Sequence, residues 1–140
     1  MIQKSYVMVK PEFANNNQVI DLVKKRLTAN GLTILTEGFI RYDADSAKKH
    51  YHEHVGKGFY PELESYITSD KAYGLEVEGE DAISLIRTLV GATKNPDKGT
   101  IRYDVPEILG IERRVTQNVV HASDCDAAAE LELSIFKSLL

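Results

Sequence analysis

The residues with the clearest capacity for chemistry lie in one short run, Asn118-Val119-Val120-His121-Ala122-Ser123-Asp124. A histidine leaves an apolar stretch and the start of a helix follows at once. A helix start offers unpaired backbone N–H groups and a partial positive charge, so a phosphate beside it is stabilised. Imidazole, with an ordinary pKa of roughly 6.5, is largely neutral and nucleophilic at neutral pH. A histidine so placed can accept a phosphoryl group covalently and pass it on. The same run is also compatible with a structural histidine whose hydrogen bonds are satisfied at a strand end.

A second group is spread over Arg87 to Thr93 and Gly99 to Arg102. Guanidinium groups grip phosphate oxygens in a two-pronged fork, and the Thr93 hydroxyl adds a neutral donor. Charge spread over a transferring phosphoryl group calls for such a clamp. Taken singly, Arg87 and Arg102 read equally as surface arginines. Gly91 is not followed by Gly-Lys-Ser/Thr, so phosphate binding here does not use a P-loop. His50, His52 and His54 with Glu53 resemble a metal cluster, but alternate positions of a helix face different ways, and no metal ligand is assigned. Cys125 reads as a small residue packed at a helix start, and Lys24-Lys25-Arg26 as a solvated face.

The elements that must position these groups follow from periodicity. Ser5 to Val9 reads as a buried strand. Val19, Ile20, Val23 and Leu27 recur at helical spacing up to Asn30-Gly31. Leu32 to Tyr42 is a second strand. Asp43 caps a short helix reaching the His54 region, and Pro61 suits the first turn of another over Tyr60 to Ile67. Ala72 to Glu78 is a third strand, broken by Gly79. A helix from Ala82 ends at Gly91. Ala92 to Gln117 is expected to be a long ordered loop. Asn118 to His121 is the fourth strand, and Ser123 with Asp126 forms a capping box for a last helix through Leu139. The order β-α-β-β-α-β predicts a ferredoxin-like α+β sandwich: a four-stranded antiparallel sheet with helices on one face. One domain over residues 1–140 accounts for the length.

Composition narrows the function classes. The chain is 43% hydrophobic and 27% charged, which suits a globular core. Its net charge of -4 argues against a general nucleic-acid binder. Cys125 is the only cysteine, so no internal disulfide forms, and a reducing cytoplasmic setting is expected. The N-terminal run lacks a signal peptide's apolar stretch.

Together these pieces resemble the nucleoside diphosphate kinase family over nearly the whole chain. The matching residues are Lys10-Pro11, His50-Tyr51, Phe59, Gly91-Ala92-Thr93, Gly99 to Arg102, and the Asn118 to Asp124 signature. The resemblance implies a phosphotransferase passing the γ-phosphoryl group of a nucleoside triphosphate to a diphosphate by a ping-pong route through His121. It implies that Lys10 and Asn118 bond the ribose and transferred phosphate, and that Tyr51 stands beside the nucleophile. Glu130 would orient the histidine, with Ser123 as its near neighbour. Arg87, Thr93 and Arg102 would form the clamp, and Phe59 and Val115 would sandwich the base. Mg²⁺ would ride mainly on the nucleotide phosphates. A homo-oligomer, a hexamer or a tetramer built from a common dimer, is expected. Three departures stand out. Glu12-Phe13 replaces the usual Asp-Gly after Lys10-Pro11, Lys57 replaces a frequent arginine, and the Arg102 to Asn118 stretch is longer than usual. The rival readings are a nucleotide-binding regulator without turnover and a ferredoxin-like nucleic-acid binder.

Overall fold

The computed structural model describes residues 1–113 and 118–140. Four strands, β1 (Ile2–Val9), β2 (Thr33–Ile40), β3 (Ala72–Glu80) and β4 (Val120–Ala122), form one antiparallel sheet in the order β2-β3-β1-β4. Seven helices complete the described chain: α1 (Pro11–Ala14), α2 (Asn17–Ala29), α3 (Ala44–His50), α4 (Tyr60–Thr68), α5 (Ala82–Val90), α6 (Ile101–Leu109) and α7 (Asp126–Leu139). This is the ferredoxin-like arrangement, with β1 and β3 central.

Helices cover both faces of the sheet rather than the one face expected. Successive strand residues point to opposite sides, and β1 is buried on both. Val7 and Val9 face a core with Val23, Leu27, Ile86 and Ile101. Tyr6 and Met8 face a second core with Tyr42, Ile67, Leu133 and Phe136. The unbroken apolar run of β1 is the sequence mark of a strand buried on both sides. Gly74 in β3 lets α7 come close, because a Cβ there would lie 2.4 Å from the Phe136 ring.

Other boundaries move for identifiable reasons. β3 runs through Gly79 to Glu80, paired with Gln3 and Ile2, so Gly79 does not break it. The expected loop contains α6, with Pro106 inside it and Gly110 left-handed at its end. Proline removes one intrahelical hydrogen bond, but Ile101 and Val105 bury one face against α2 and α5, and the packing prevails. Ser123 does not cap α7. Its N–H bonds the Tyr6 carbonyl, so the chain is still extended there, and Cys125 is the N-cap, its sulfur accepting from the Ala128 N–H at 3.5 Å. The Asp43 cap and the Asn30-Gly31 stop lie where the sequence puts them.

Strain is stored just ahead of β4. Val119 is fully buried with φ of 77°, a rare conformation for a β-branched residue. The Val120 N–H bonds the Asn118 carbonyl across it, closing a tight three-residue turn. Three groups hold the turn in place. The Lys10 N–H bonds the Val119 carbonyl, and Arg102 bonds the Asn118 carbonyl through Nε and the Val120 carbonyl through Nη2. Val119→Ala removes packing while keeping the strain, whereas Val119→Gly removes both. Chemical denaturation is therefore expected to find the glycine variant more stable than the alanine variant by about 1 kcal/mol, the reverse of the usual order. An alanine variant of equal or greater stability would refute the strain.

Candidate functional site

The sheet topology brings the chemistry-bearing residues together. β4 pairs with β1 so that His121 lies opposite Met8, and α7 crosses the same end of the sheet. His121 keeps 22% of its side chain exposed, and its Nε2 lies 2.8 Å from Glu132 Oε1. Ser123 Oγ donates to that same oxygen at 2.7 Å and accepts from the Tyr6 N–H at 3.2 Å. The carboxylate beside the histidine is thus Glu132, not Glu130, which is exposed on α7. Residues two apart on a helix point about 200° apart. The buried face of α7 carries Ala129, Glu132, Leu133 and Phe136, and that spacing in the sequence was the signal that could have selected Glu132.

Burial shifts the ionisable groups around this point. His121 is held down to about 3, first by burial and then by the positive charges of Lys10 and Arg102. Burial pushes the Glu132 carboxyl up, against the opposing effects of His50 and the Ser123 hydrogen bond. Both shifts favour the uncharged form of each partner. The contact between them engages Nε2 and leaves Nδ1 as the ring nitrogen not held by Glu132.

The other expected residues divide clearly. Lys10 Nζ donates to Asn118 Oδ1 at 2.6 Å, and both side chains are buried. Phe13 is packed in the core without left-handed backbone, so the missing glycine does not disturb Lys10. Arg102 donates to the Gly91 carbonyl at 3.0 Å and to Thr93 Oγ1 at 3.4 Å, besides its two bonds to the β4 turn. Much of its fork therefore holds backbone rather than facing a ligand. Arg87 is exposed, with Nη1 3.4 Å from the Ala122 carbonyl. Gly91 must be glycine: its φ is 95°, and a Cβ would stand 2.5 Å from the Thr100 hydroxyl oxygen. The Tyr51 ring lies 6.3 Å from His121, and its hydroxyl is buried without a hydrogen-bond partner. Phe59, at the start of α4, is 51% exposed, and Lys57 Nζ sits 5.9 Å from its ring centre. Val115 lies outside the described residues.

The sequence reading missed the layer behind His121. The His50 ring crosses that of His121 at 67° with 4.6 Å between centres. Tyr42 Oη lies 3.4 Å from His50 Nδ1 and 2.8 Å from Tyr6 Oη. Burial holds His50 down to about 3 and raises both tyrosines. Of the histidine trio, His50 lies against His121, and the His54 ring stands 5.4 Å from that of Phe59 and 6.2 Å from that of Tyr51.

A strained turn and a partly buried histidine tethered by a carboxylate thus sit at one end of the sheet. The nucleoside diphosphate kinase family model matches residues 3–138. The chain belongs to that family. The nucleoside diphosphate kinase of Methanobrevibacter smithii is 43% identical, with 97% of this chain and 87% of that protein covered. That of Metallosphaera sedula is 40% identical over 97% and 94%. A halophilic nucleoside diphosphate kinase from Halobacterium salinarum, solved in complex with CDP, is 34% identical with a TM-score of 0.86, covering 97% of this chain and 88% of that one. Family membership makes this chain an enzyme that binds nucleotides and transfers phosphoryl groups.

Lys10 supplies a pH test. Burial, then the Arg102 charge, lowers its ammonium to about 7. Its positive charge is complete well below that pH and is lost as pH rises through it. Bound phosphates would hold the proton on. The kcat/KM for a nucleotide is therefore expected to fall as pH rises past about 7, while kcat stays flat. Lys10→Arg, charged throughout, should abolish the fall. An unchanged profile in that variant would remove Lys10 from the titration.

Proposed function

We propose that the enzyme moves the γ-phosphoryl group of a nucleoside triphosphate to a nucleoside diphosphate in two half-reactions through a phosphorylated His121. The observation that carries this reading is the 2.8 Å contact between His121 Nε2 and Glu132, itself braced by Ser123. It fixes the tautomer with the lone pair on Nδ1. In the first half-reaction Nδ1 attacks the γ-phosphorus, the bond to the bridging oxygen breaks, and the diphosphate leaves with that electron pair. Positive charge developing on the imidazole is offset by the Glu132 carboxylate. A second diphosphate then takes the phosphoryl group by the reverse of the same step.

The cations around Nδ1 suit the spreading negative charge. Lys10, Arg102 and Arg87 all bring positive charge to His121, and Arg102, with Thr93, also keeps the turn in place. The buried Tyr51 hydroxyl is a further donor for a phosphoryl oxygen. Mg²⁺, which prefers six oxygen ligands, meets no all-oxygen cage among the described residues. The phosphate oxygens would hold it, with exposed Asp124 as the neighbouring carboxylate. When bound, it neutralises phosphate charge.

Phe59 offers an exposed ring for stacking, which tolerates any base. CDP in the Halobacterium salinarum relative supports a pyrimidine nucleotide in this fold. The lone cysteine favours a cytoplasmic setting. The β2 edge, where Leu35 and Phe39 are each 45% exposed, favours a dimer formed by edge-strand pairing. A hexamer or tetramer would be built from that dimer.

Two experiments test these readings. Labelled ATP is expected to leave an acid-labile, alkali-stable phosphoryl group on the wild type and none on His121→Gln, with turnover down at least about a thousandfold. Glu132→Gln should lose on the order of 10- to 100-fold in kcat, and Glu130→Gln almost nothing. Normal turnover by His121→Gln would end the mechanism. Light scattering should find a dimer or larger species, shifted to monomer by paired Leu35→Lys and Phe39→Lys changes. A fully active wild-type monomer would overturn the assembly.

A further inference from the structure

Directly behind the nucleophile lies a group of side chains that phosphoryl transfer does not fully use. One nitrogen of His50, one nitrogen of His121 and one oxygen of Glu132 all lie within 4.8 Å of one another. They come from three separate elements: the end of α3, β4 and the middle of α7. His50 is 5% exposed, and its Nε2 is buried without a hydrogen-bond partner. An imidazole nitrogen stranded in this way normally costs stability. Its other nitrogen, Nδ1, faces the Tyr42 hydroxyl, which in turn bonds Tyr6. If Nδ1–H donates to Tyr42, the lone pair on Nε2 points into the cluster. Histidines that bind metal are held by such a bond from the opposite ring nitrogen.

We propose that His50, His121 and Glu132 form a binding site for a zinc-class divalent transition ion, whose occupancy withdraws His121 from phosphoryl transfer. The donor set is two imidazoles and one carboxylate, which zinc accepts with a fourth position left for water. The His121 proton moves from Nε2 to Nδ1, which frees Nε2 for the metal and removes the lone pair from the attacking position. It is wrong for Mg²⁺, which needs an octahedron of hard oxygens, so the ion that accompanies the nucleotide does not compete. Metal–ligand bonds of about 2.0–2.1 Å put tetrahedral ligands roughly 3.3 Å apart. The cluster must therefore contract while the 2.8 Å His121–Glu132 contact opens by about half an ångström, within reach of side-chain rotation. Lys10 and Arg102 bring positive charge towards His121 and oppose a cation. That opposition sets the strength: a reversible, micromolar-order site rather than a structural one. The inhibition rests on the phosphohistidine reading, whereas the binding does not.

The test is a titration of metal-free, nucleotide-free enzyme with ZnCl₂ by calorimetry, with CoCl₂ and visible absorption as a second probe of tetrahedral nitrogen–oxygen coordination. One ion per chain is expected. His50→Gln and Glu132→Gln should each weaken binding at least about tenfold, and paired His52→Gln and His54→Gln changes should leave it intact. Zinc should suppress turnover in step with occupancy, and a zinc-selective chelator should restore it. At saturating zinc the wild type should take no phosphoryl group from ATP, an arm that needs no variant. Affinity unchanged in both His50→Gln and Glu132→Gln, or lost in the His52/His54 variant, would overturn the site. So would a zinc-saturated enzyme that is phosphorylated as fast as the metal-free one. Failure to phosphorylate at all, with or without zinc, would instead count against the phosphohistidine, leaving the binding titration to decide the metal.

Discussion

Glu132 puts a carboxylate into the interior, and a carboxylate there needs donors. It has two, His121 Nε2 and the Ser123 hydroxyl, and the latter is fastened to the β1 backbone at Tyr6. Much of the site's geometry follows from meeting that need. α7 must cross the sheet in one rotation so that position 132 faces inward. β4 must hold its register on β1 so that His121 and Ser123 both reach the same oxygen. The result is an imidazole held in one orientation, the preorganisation that the proposed nucleophile requires.

A second constraint acts from the other side. The left-handed backbone at Val119 is costly and would relax if left alone. Arg102 prevents this by spending its donors on the carbonyls of Asn118 and Val120 while also reaching Gly91 and Thr93. The same residue that would serve as a phosphate clamp therefore serves first as a brace. This is why α6 matters despite its internal proline. It carries Arg102 to the turn, and its buried Ile101 and Val105 anchor that delivery in the core. A single guanidinium thus ties together Gly91, Thr93, Asn118 and Val120.

The layer of His50, Tyr42 and Tyr6 adds a polar seam to an otherwise apolar core. Such seams are expensive unless satisfied, and this one closes except at His50 Nε2. The exception faces the nucleophile. Aromatic edges from His50 and Tyr51 also limit how far the His121 ring can swing.

Local chemistry in the sequence determined much of this protein. The strand–turn–helix around His121, the Asp43 cap, the Asn30-Gly31 stop and the β-α-β-β-α-β order are all written in residues close to one another, because caps, turns and periodicity act over a few positions. What only the tertiary structure decided are matters of rotation and long-range contact. Whether Glu130 or Glu132 meets His121 depends on where α7 starts and how it rolls onto the sheet, and moving that start from Ser123 to Cys125 changes which face is inward. Whether residues 101–109 form a helix depended on burial against α2 and α5 outweighing one proline. Both faces of β1 are covered because two sets of helices, far apart in the chain, close on it. His50 stands behind His121 only because α3 and β4, separated by most of the sheet's connections, meet at one end. Contacts between distant segments leave no local pattern to read, and they set the geometry on which the chemistry depends.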